Sequence, residues 1–396
     1  MNRADASPSC PIAVPAPTRW EQDHLAQINA QSLPCPPVIG AQHAVPTFPE
    51  HDVWDFWPVQ LADGSVATAL GGTVWAGLMA PRGDDPDSRH DVARTHLLFM
   101  NDDYWVDCGP LLPEGLCPGT REWSGSALLD PVSGRLDVYF TAAGRQPKLG
   151  SDAQATPHFE QRLFHAHARL VAGTSAPLTT VGWQAATPIG ALDSAYYVDT
   201  AVDAGVPGLI HGYRDPGIFR DPADGSWHIV FTGSLAGAAH RHAGVVGHFT
   251  AESPDGPFHS APPIITADGV ANELERPHIV MKDGLYYLFW SSQATIFAPD
   301  GVAAPSGLYG MVAPALRGPY RPLNGSGLVL ANPPEEPRQA YCWQVLDSLE
   351  VISFVDYWGL KGRSIADDPA LKRAQFGGTM APIAHLSLNG EQALLL

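Results

Sequence analysis

The sequence predicts an all-β chain arranged as a five-bladed β-propeller around a central, funnel-shaped active site, and three observations carry that prediction. The first is a recurring layout of polar residue, apolar run, tight turn and apolar run. Asp55 stands eight residues before Asp63-Gly64, Ser124 nine before Ser133-Gly134, Asp215 nine before Asp224-Gly225, and Glu275 eight before Asp283-Gly284. The second is the strand-like run after each turn: Val66 to Leu70, Leu136 to Thr141, Trp227 to Thr232 and Leu285 to Trp290. Asp-Gly or Ser-Gly between two such runs is a strong local signal for a hairpin. The third is a less regular fifth unit, Tyr341 to Trp358, whose run is Leu349 to Val355. Hairpins repeated at intervals of tens of residues point to radial repetition, for which the common all-β solution is a propeller. Equivalent positions of successive blades then meet at one axis, so Asp55, Asp215 and Glu275 are expected to converge. Three carboxylates sharing a pocket repel one another, and a functional role is the better explanation of that cost.

Size and charge agree with this plan. The 396 residues, 45% of them hydrophobic, are ample for five blades of roughly 60 to 70 residues in one domain spanning 51–396. Residues 1–50 hold nine prolines and are expected to form an arm packed on the outside, with a short helix within Trp20 to Leu33. The net charge of −18 and the absence of Lys/Arg-rich runs argue against nucleic acid and anionic membranes as partners. No apolar run approaches a membrane span, and Met1 to Thr18 shows no basic region followed by an apolar one, so no secretory signal is visible. Five cysteines cannot all pair within one chain; Cys108 and Cys117 are close enough in sequence to be bridged, but spacing does not fix geometry.

In the first unit, Trp54 and Trp57 flank Asp55, and flat indole faces beside a carboxylate suit a sugar ring; Trp57 reads better as a core residue. The acidic run Asp84-Asp85-Pro86-Asp87 reads as an exposed loop rather than a calcium loop. In the second unit, Ser124 next to Gly125 leaves room for a ligand that Trp123 would wall. After a long polar connection over 142–162, His165 and His167 sit two apart on one strand face, a spacing compatible with a metal, but no further ligand follows in sequence. They read better as polar residues on a solvated strand. In the third unit Arg214 is expected to hold Asp215 ionised, while Asp221-Pro222 is turn chemistry. In the fourth, Glu273 and Glu275 are two apart and cannot both ionise easily, so one of them should carry a raised pKa and serve as an acid near neutral pH. Paired carboxyl groups across a pocket are the equipment for cleaving a glycosidic bond; an acidic pocket that only binds a metal or ligand is the plainer alternative.

Five blocks in order carry a family resemblance: Val53-Trp54-Asp55-Phe56-Trp57-Pro58, Glu122-Trp123-Ser124-Gly125-Ser126, Arg214-Asp215-Pro216, Glu273-Leu274-Glu275-Arg276-Pro277 and Gly377-Gly378-Thr379-Met380-Ala381-Pro382. Together they resemble the signature blocks of the levansucrase family, glycoside hydrolase family 68, over nearly the whole chain. The resemblance implies a five-bladed β-propeller that acts on sucrose by a retaining double displacement and passes fructose to water or to sugar acceptors. Asp55 matches the family's nucleophile, Glu275 its general acid and base, and Asp215 its transition-state stabiliser. Trp54, Trp123, Ser124, Arg214, Glu273 and Tyr341 fall on positions resembling sugar-contacting residues. Gln293 stands where polymer-forming members usually carry Arg or His, which implies altered acceptor binding and short fructooligosaccharides plus free fructose. Some branches hold a structural calcium, but the sequence offers no ligand set for it, so neither metal nor cofactor is expected. The resemblance also implies an extracellular or periplasmic location and a monomer or small homo-oligomer. Two other classes stay open on the residues alone: an inverting propeller glycosidase acting on arabinosides or xylosides, and a non-catalytic sugar-binding propeller.

Overall fold

The computed structural model describes residues 16–102, 104–145, 159–366 and 368–396. Cys10 and residues 146–158 of the polar connection lie outside the described residues. The chain is all-β, with only short helices such as Gln22–Leu25, Arg89–Val92 and Pro369–Gln375.

Five hairpins organise the sheets. Their first strands are His51–Gln60, Arg121–Asp130, Tyr213–Arg220, Glu275–Lys282 and Ala340–Val345, each followed by an antiparallel partner. These first strands touch one another in chain order, and the last touches the first, so they form a closed ring. The first two hairpins share a ten-stranded sheet because Val59 and Gln60 pair in parallel with Ala127 and Leu128. The other three head separate five-stranded sheets. Closure is apolar on one side, where Val53, Phe56 and Trp75 share a core with Leu346 and Ile352. It is ionic beside that core, where the Asp52 carboxylate, 1% exposed, is held by Arg373 at 2.6 Å and Arg82 at 3.2 Å. Gly378 belongs to this closure. Its φ is +55°, and a Cβ there would lie 2.3 Å from Asp52 Oδ1.

The turns explain the register. At Lys282–Leu285 the two loop residues Asp283 and Gly284 both have positive φ, +52° and +77°, the twist a two-residue hairpin requires. At the third hairpin, Ala223 N–H donates to Asp221 Oδ1 at 2.9 Å and Gly225 N–H to Asp221 O at 2.8 Å, the expected turn chemistry. In the first hairpin the predicted return strand Val66 to Leu70 is corrected. The Asp63-Gly64 turn closes only the Gln60–Val66 bridge, and a second turn at Leu70-Gly71, both at positive φ, leads into the true partner Gly72–Pro81.

The arm is also more extended than predicted. Within Trp20 to Leu33 only Gln22–Leu25 is helical, a 3-10 turn follows at Ala41–His43, and Thr18–Arg19 adds a parallel strand beside Ile265 and Thr266. Trp20 is 1% exposed and donates its indole N–H to Ser326 O at 3.0 Å, which ties this segment to the rest. Among the described residues Cys35, Cys108, Cys117 and Cys342 are all free, so Cys108 and Cys117 are not bridged. No described helix is long and apolar enough to cross a membrane.

Candidate active site

Each of the five first strands carries a β-bulge at the same level. The pairing shifts between Val53 and Phe56, Trp123 and Gly125, Arg214 and Gly217, Glu275 and His278, and Tyr341 and Gln344. A bulge kinks a strand and redirects its side chains, and such features gather beside active sites. Within these bulges Asp215, Arg276 and Cys342 take left-handed φ values of +59°, +50° and +55°. The five bulges aim their residues into one cavity of about 400 Å³, lined by Trp54, Asp55, Trp123, Ser124, Arg214, Asp215, Glu273 and Glu275 among others.

Asp55 accepts a short hydrogen bond from Ser124 Oγ. Asp215 is 6% exposed, and its Oδ2 accepts from Thr232 Oγ1 at 2.9 Å and from Arg276 N–H at 3.3 Å. Glu275 Oε1 accepts from Arg214 Nη2 at 2.7 Å, and its Oε2 accepts from Tyr341 Oη. Arg214 is the electrostatic hub. The same Nη2 lies 3.2 Å from Glu273 Oε2, and Nε lies 3.5 Å from Asp215 Oδ2. Burial works against its charge, yet Glu273, Glu275 and Asp215 together raise its pKa.

One cation cannot neutralise the buried carboxylates of Asp215 and Glu273 and the half-buried one of Glu275 together. Burial pushes Glu273 up to about 7, and the charge of Glu275 adds to this against the pull of Arg214. Burial also pushes Asp215 up to about 6; Arg214 pulls it down while Glu275 and Asp55 raise it. Arg214, with Nε 3.5 Å from Asp215, favours its ionised form as expected, but burial outweighs that pull and lifts the pKa to about 6, still below neutral pH. The expected raised pKa within the glutamate pair falls on Glu273. That residue precedes its strand, which begins at Glu275, so the two meet through Arg214 rather than by sharing a strand face.

Trp54 is 2% exposed and lines the cavity, with Arg89 over its ring at 5.4 Å, while Trp57 is a core residue under the Arg276 guanidinium. Tyr341 is buried behind Glu275 and is not itself part of the lining. Gln293 is not brought into the cavity: it is exposed, next to Ser292, whose hydroxyl donates to Glu273 O at 2.9 Å.

Sequence reasoning missed Asp87, His90, Asp91, Arg276 and Cys342, which also line the cavity. The segment read as an exposed acidic loop forms the short helices Pro86–Ser88 and Arg89–Val92 over the site. There His90 packs edge-on to Trp54, and its carbonyl accepts from the Trp123 indole at 3.2 Å. His90 keeps solvent contact at the cavity, yet the crowding of protein around its ring, helped by the charges of Arg89, Arg121 and Arg214, holds its pKa well below the ordinary imidazole value. Arg276 donates to Phe56 O at 3.1 Å and Gln344 Oε1 at 2.8 Å, joining three first strands behind the carboxylates. Its place within the Glu273–Pro277 block was the only signal for it.

The comparisons with known proteins agree with one another. A family model described as levansucrase/invertase matches residues 12–258 and 258–395. A levansucrase of Pseudomonas savastanoi pv. glycinea is 30% identical over 96% of this chain and 94% of its own length. A levansucrase of Zymomonas mobilis subsp. mobilis is 32% identical over 87% of this chain and 82% of its own. Among solved structures, an inulosucrase from Halalkalicoccus jeotgali bound to kestose superposes with a TM-score of 0.85 at 36% identity, covering 96% of this chain and 95% of that one. A levansucrase from Gluconacetobacter diazotrophicus, at 22% identity and a TM-score of 0.81, shares the fold over 96% of this chain and 90% of its own. With its model matched along almost the full length, the chain belongs to the levansucrase/invertase family.

Proposed function

We propose that this protein is a sucrose-acting fructosyltransferase that works by a retaining double displacement. The observation that carries the reading is the meeting of Asp55, Asp215 and Glu275 at bulges of different strands around one cavity. Asp55 attacks the anomeric carbon of the fructosyl unit while Glu275 delivers a proton to the glycosidic oxygen, so glucose leaves neutral and a fructosyl-enzyme remains. Glu275 then takes a proton from water or an acceptor hydroxyl, whose oxygen attacks the same carbon and frees Asp55. Asp215 holds fructosyl hydroxyls and favours the positive charge that develops between the two steps. Glu273, with its pKa pushed up to about 7, keeps a proton beside Glu275 near neutral pH, and Arg214 and Tyr341 hold Glu275 in place. Trp54, Trp123 and Ser124 supply walls and a polar contact for the sugars.

The ring of five bulged first strands supports a five-bladed propeller with a funnel opening at the bulges. The domain reading that accompanies it is an N-terminal arm over 1–50 and a single catalytic unit over 51–396. Gln293, exposed at the end of its strand, is the acceptor-side residue in this reading and favours short products over long polymer.

Paired glucose and fructose release from concentrated sucrose tests the proposal, with chromatography of any missing fructose. Equal release means transfer to water, and excess glucose means transfer to sugars. Release of neither sugar discards sucrose as the substrate.

A further inference from the structure

His165 and His167 play no part in the chemistry above, yet they do not lie on a solvated strand as the sequence suggested. His165 is 6% exposed, and its Nε2 lies 2.7 Å from Asp137 Oδ1 on the neighbouring strand. Asp137 pairs directly opposite His167, so all three side chains share one face of the sheet. A fourth group, Asp255, arrives from the adjoining five-stranded sheet, on the loop between Ala243–Ala251 and His259–Asp268. One ligand atom from each of the four lies within 4.8 Å of every other. The seam between the two sheets is fixed beside them: Tyr139 stacks on His165 with centroids 4.9 Å apart and donates its hydroxyl to Pro254 O at 2.6 Å.

We propose that Asp137, His165, His167 and Asp255 form a site for a divalent transition metal of the zinc type, which staples the ten-stranded sheet to its five-stranded neighbour. Two imidazoles and two carboxylates are a donor set that suits such ions. Tetrahedral ligands about 2.1 Å from zinc stand about 3.4 Å apart, inside the 4.8 Å that bounds the four ligand atoms here. A cation already belongs there. Arg135 Nη2 contacts Asp137 Oδ1 at 2.8 Å and also Asp255, which marks the position as one that takes positive charge. The Arg135 side chain is 31% exposed and can swing into solvent when a metal takes its place. Asp221, Asp224 and His228 form a second cluster, but Asp221 and Asp224 already cap the hairpin turn, so it serves as the control.

The test is calorimetric titration of the tag-free, metal-stripped full chain with ZnCl2, together with thermal unfolding with and without zinc. One zinc per chain is expected, with a higher unfolding temperature in its presence. Asp255→Asn, an exposed position, and His167→Ala should each weaken zinc binding at least tenfold. Arg135→Gln should tighten it, because the competing cation is gone, and Asp224→Asn should leave it unchanged. Sucrose cleavage by each variant reports that it is folded, since none of these residues lines the catalytic cavity. The proposal is overturned if folded protein takes up no zinc, if Asp255→Asn and His167→Ala both bind it as the parent does, or if Asp224→Asn is the variant that loses it.

Discussion

Glu273→Gln isolates the electrostatic strain of the site. Glu273 is 8% exposed and shares the Nη2 of Arg214 with Glu275, and its pKa is pushed up from the ordinary 4.5 to about 7. A group whose pKa is raised on folding binds more protons in the folded chain than in the unfolded one between those two values. Its stabilising contribution is complete below about pH 4.5 and is lost as the pH rises through about 7. The rise corresponds to about 3 kcal/mol lost at pH 8 relative to pH 4.5. Glutamine copies the neutral form and does not ionise, so the variant escapes this loss. The stability of variant minus parent should therefore grow by about 3 kcal/mol from pH 4.5 to 8. For a chain of this size that is about 4 °C in unfolding temperature. Differential scanning calorimetry across this pH range reads it directly, whatever the variant does to turnover. A difference that is flat with pH, or that shrinks as the pH rises, refutes the assignment of the raised pKa to Glu273.

Asp55→Asn and Glu275→Gln should each lower sucrose turnover by a factor of about 1000 or more with the fold intact, read by glucose release and circular dichroism; a tenfold loss or less in either removes that residue from its role. Tyr341→Phe deletes the hydroxyl that donates to Glu275 and should cost roughly 10- to 100-fold in kcat with little change in KM. An unchanged kcat would mean that the contact does not position the acid. Gln293→Arg and Gln293→His should shift the product spectrum with a smaller change in total sucrose cleavage, and identical chromatograms for both variants and the parent would exclude Gln293 from acceptor binding. Gly378→Ala, with a Cβ 2.3 Å from Asp52 Oδ1 and φ of +55°, should lower stability by about 1–3 kcal/mol. An unfolding temperature equal to that of the parent would mean that the closure tolerates the side chain.

Counting back from the turns was enough to find Ser124, Asp215 and Glu275, because antiparallel pairing converts a fixed number of residues into a fixed height in the sheet. In the first hairpin the count started from the wrong turn: Asp63-Gly64 masks the connecting turn at Leu70-Gly71, which the sequence marks only by Gly71-Gly72, since leucine at φ +50° is not a turn residue by propensity. In the run Asp84-Asp85-Pro86-Asp87 the three aspartates are exposed as read, and what was missed is where the segment lies. Its composition is that of an exposed loop, and nothing local says that Pro86–Ser88 and Arg89–Val92 will be laid across the cavity against Trp54 and Trp123.

The bulges mark the limit of what periodicity can supply. In a regular strand Glu275 and Arg276 face opposite sides of the sheet, and one of them is lost to the site. With the extra residue between Glu275 and His278, the Glu275 side chain reaches Arg214 and Tyr341. The Arg276 N–H meets Asp215 and its guanidinium reaches Phe56 O and Gln344, so two adjacent residues serve one cavity. An alternating pattern cannot announce this arrangement, because it consists in breaking the alternation. Repeated on all five first strands, the same break brings Asp55, Asp215 and Glu275 to one cavity, where Asp215, Glu273 and Glu275 crowd around the guanidinium of Arg214. The raised pKa values of Asp215 and Glu273 are the thermodynamic trace of that crowding. They are also what leaves a proton available near neutral pH beside an acid that has to donate one.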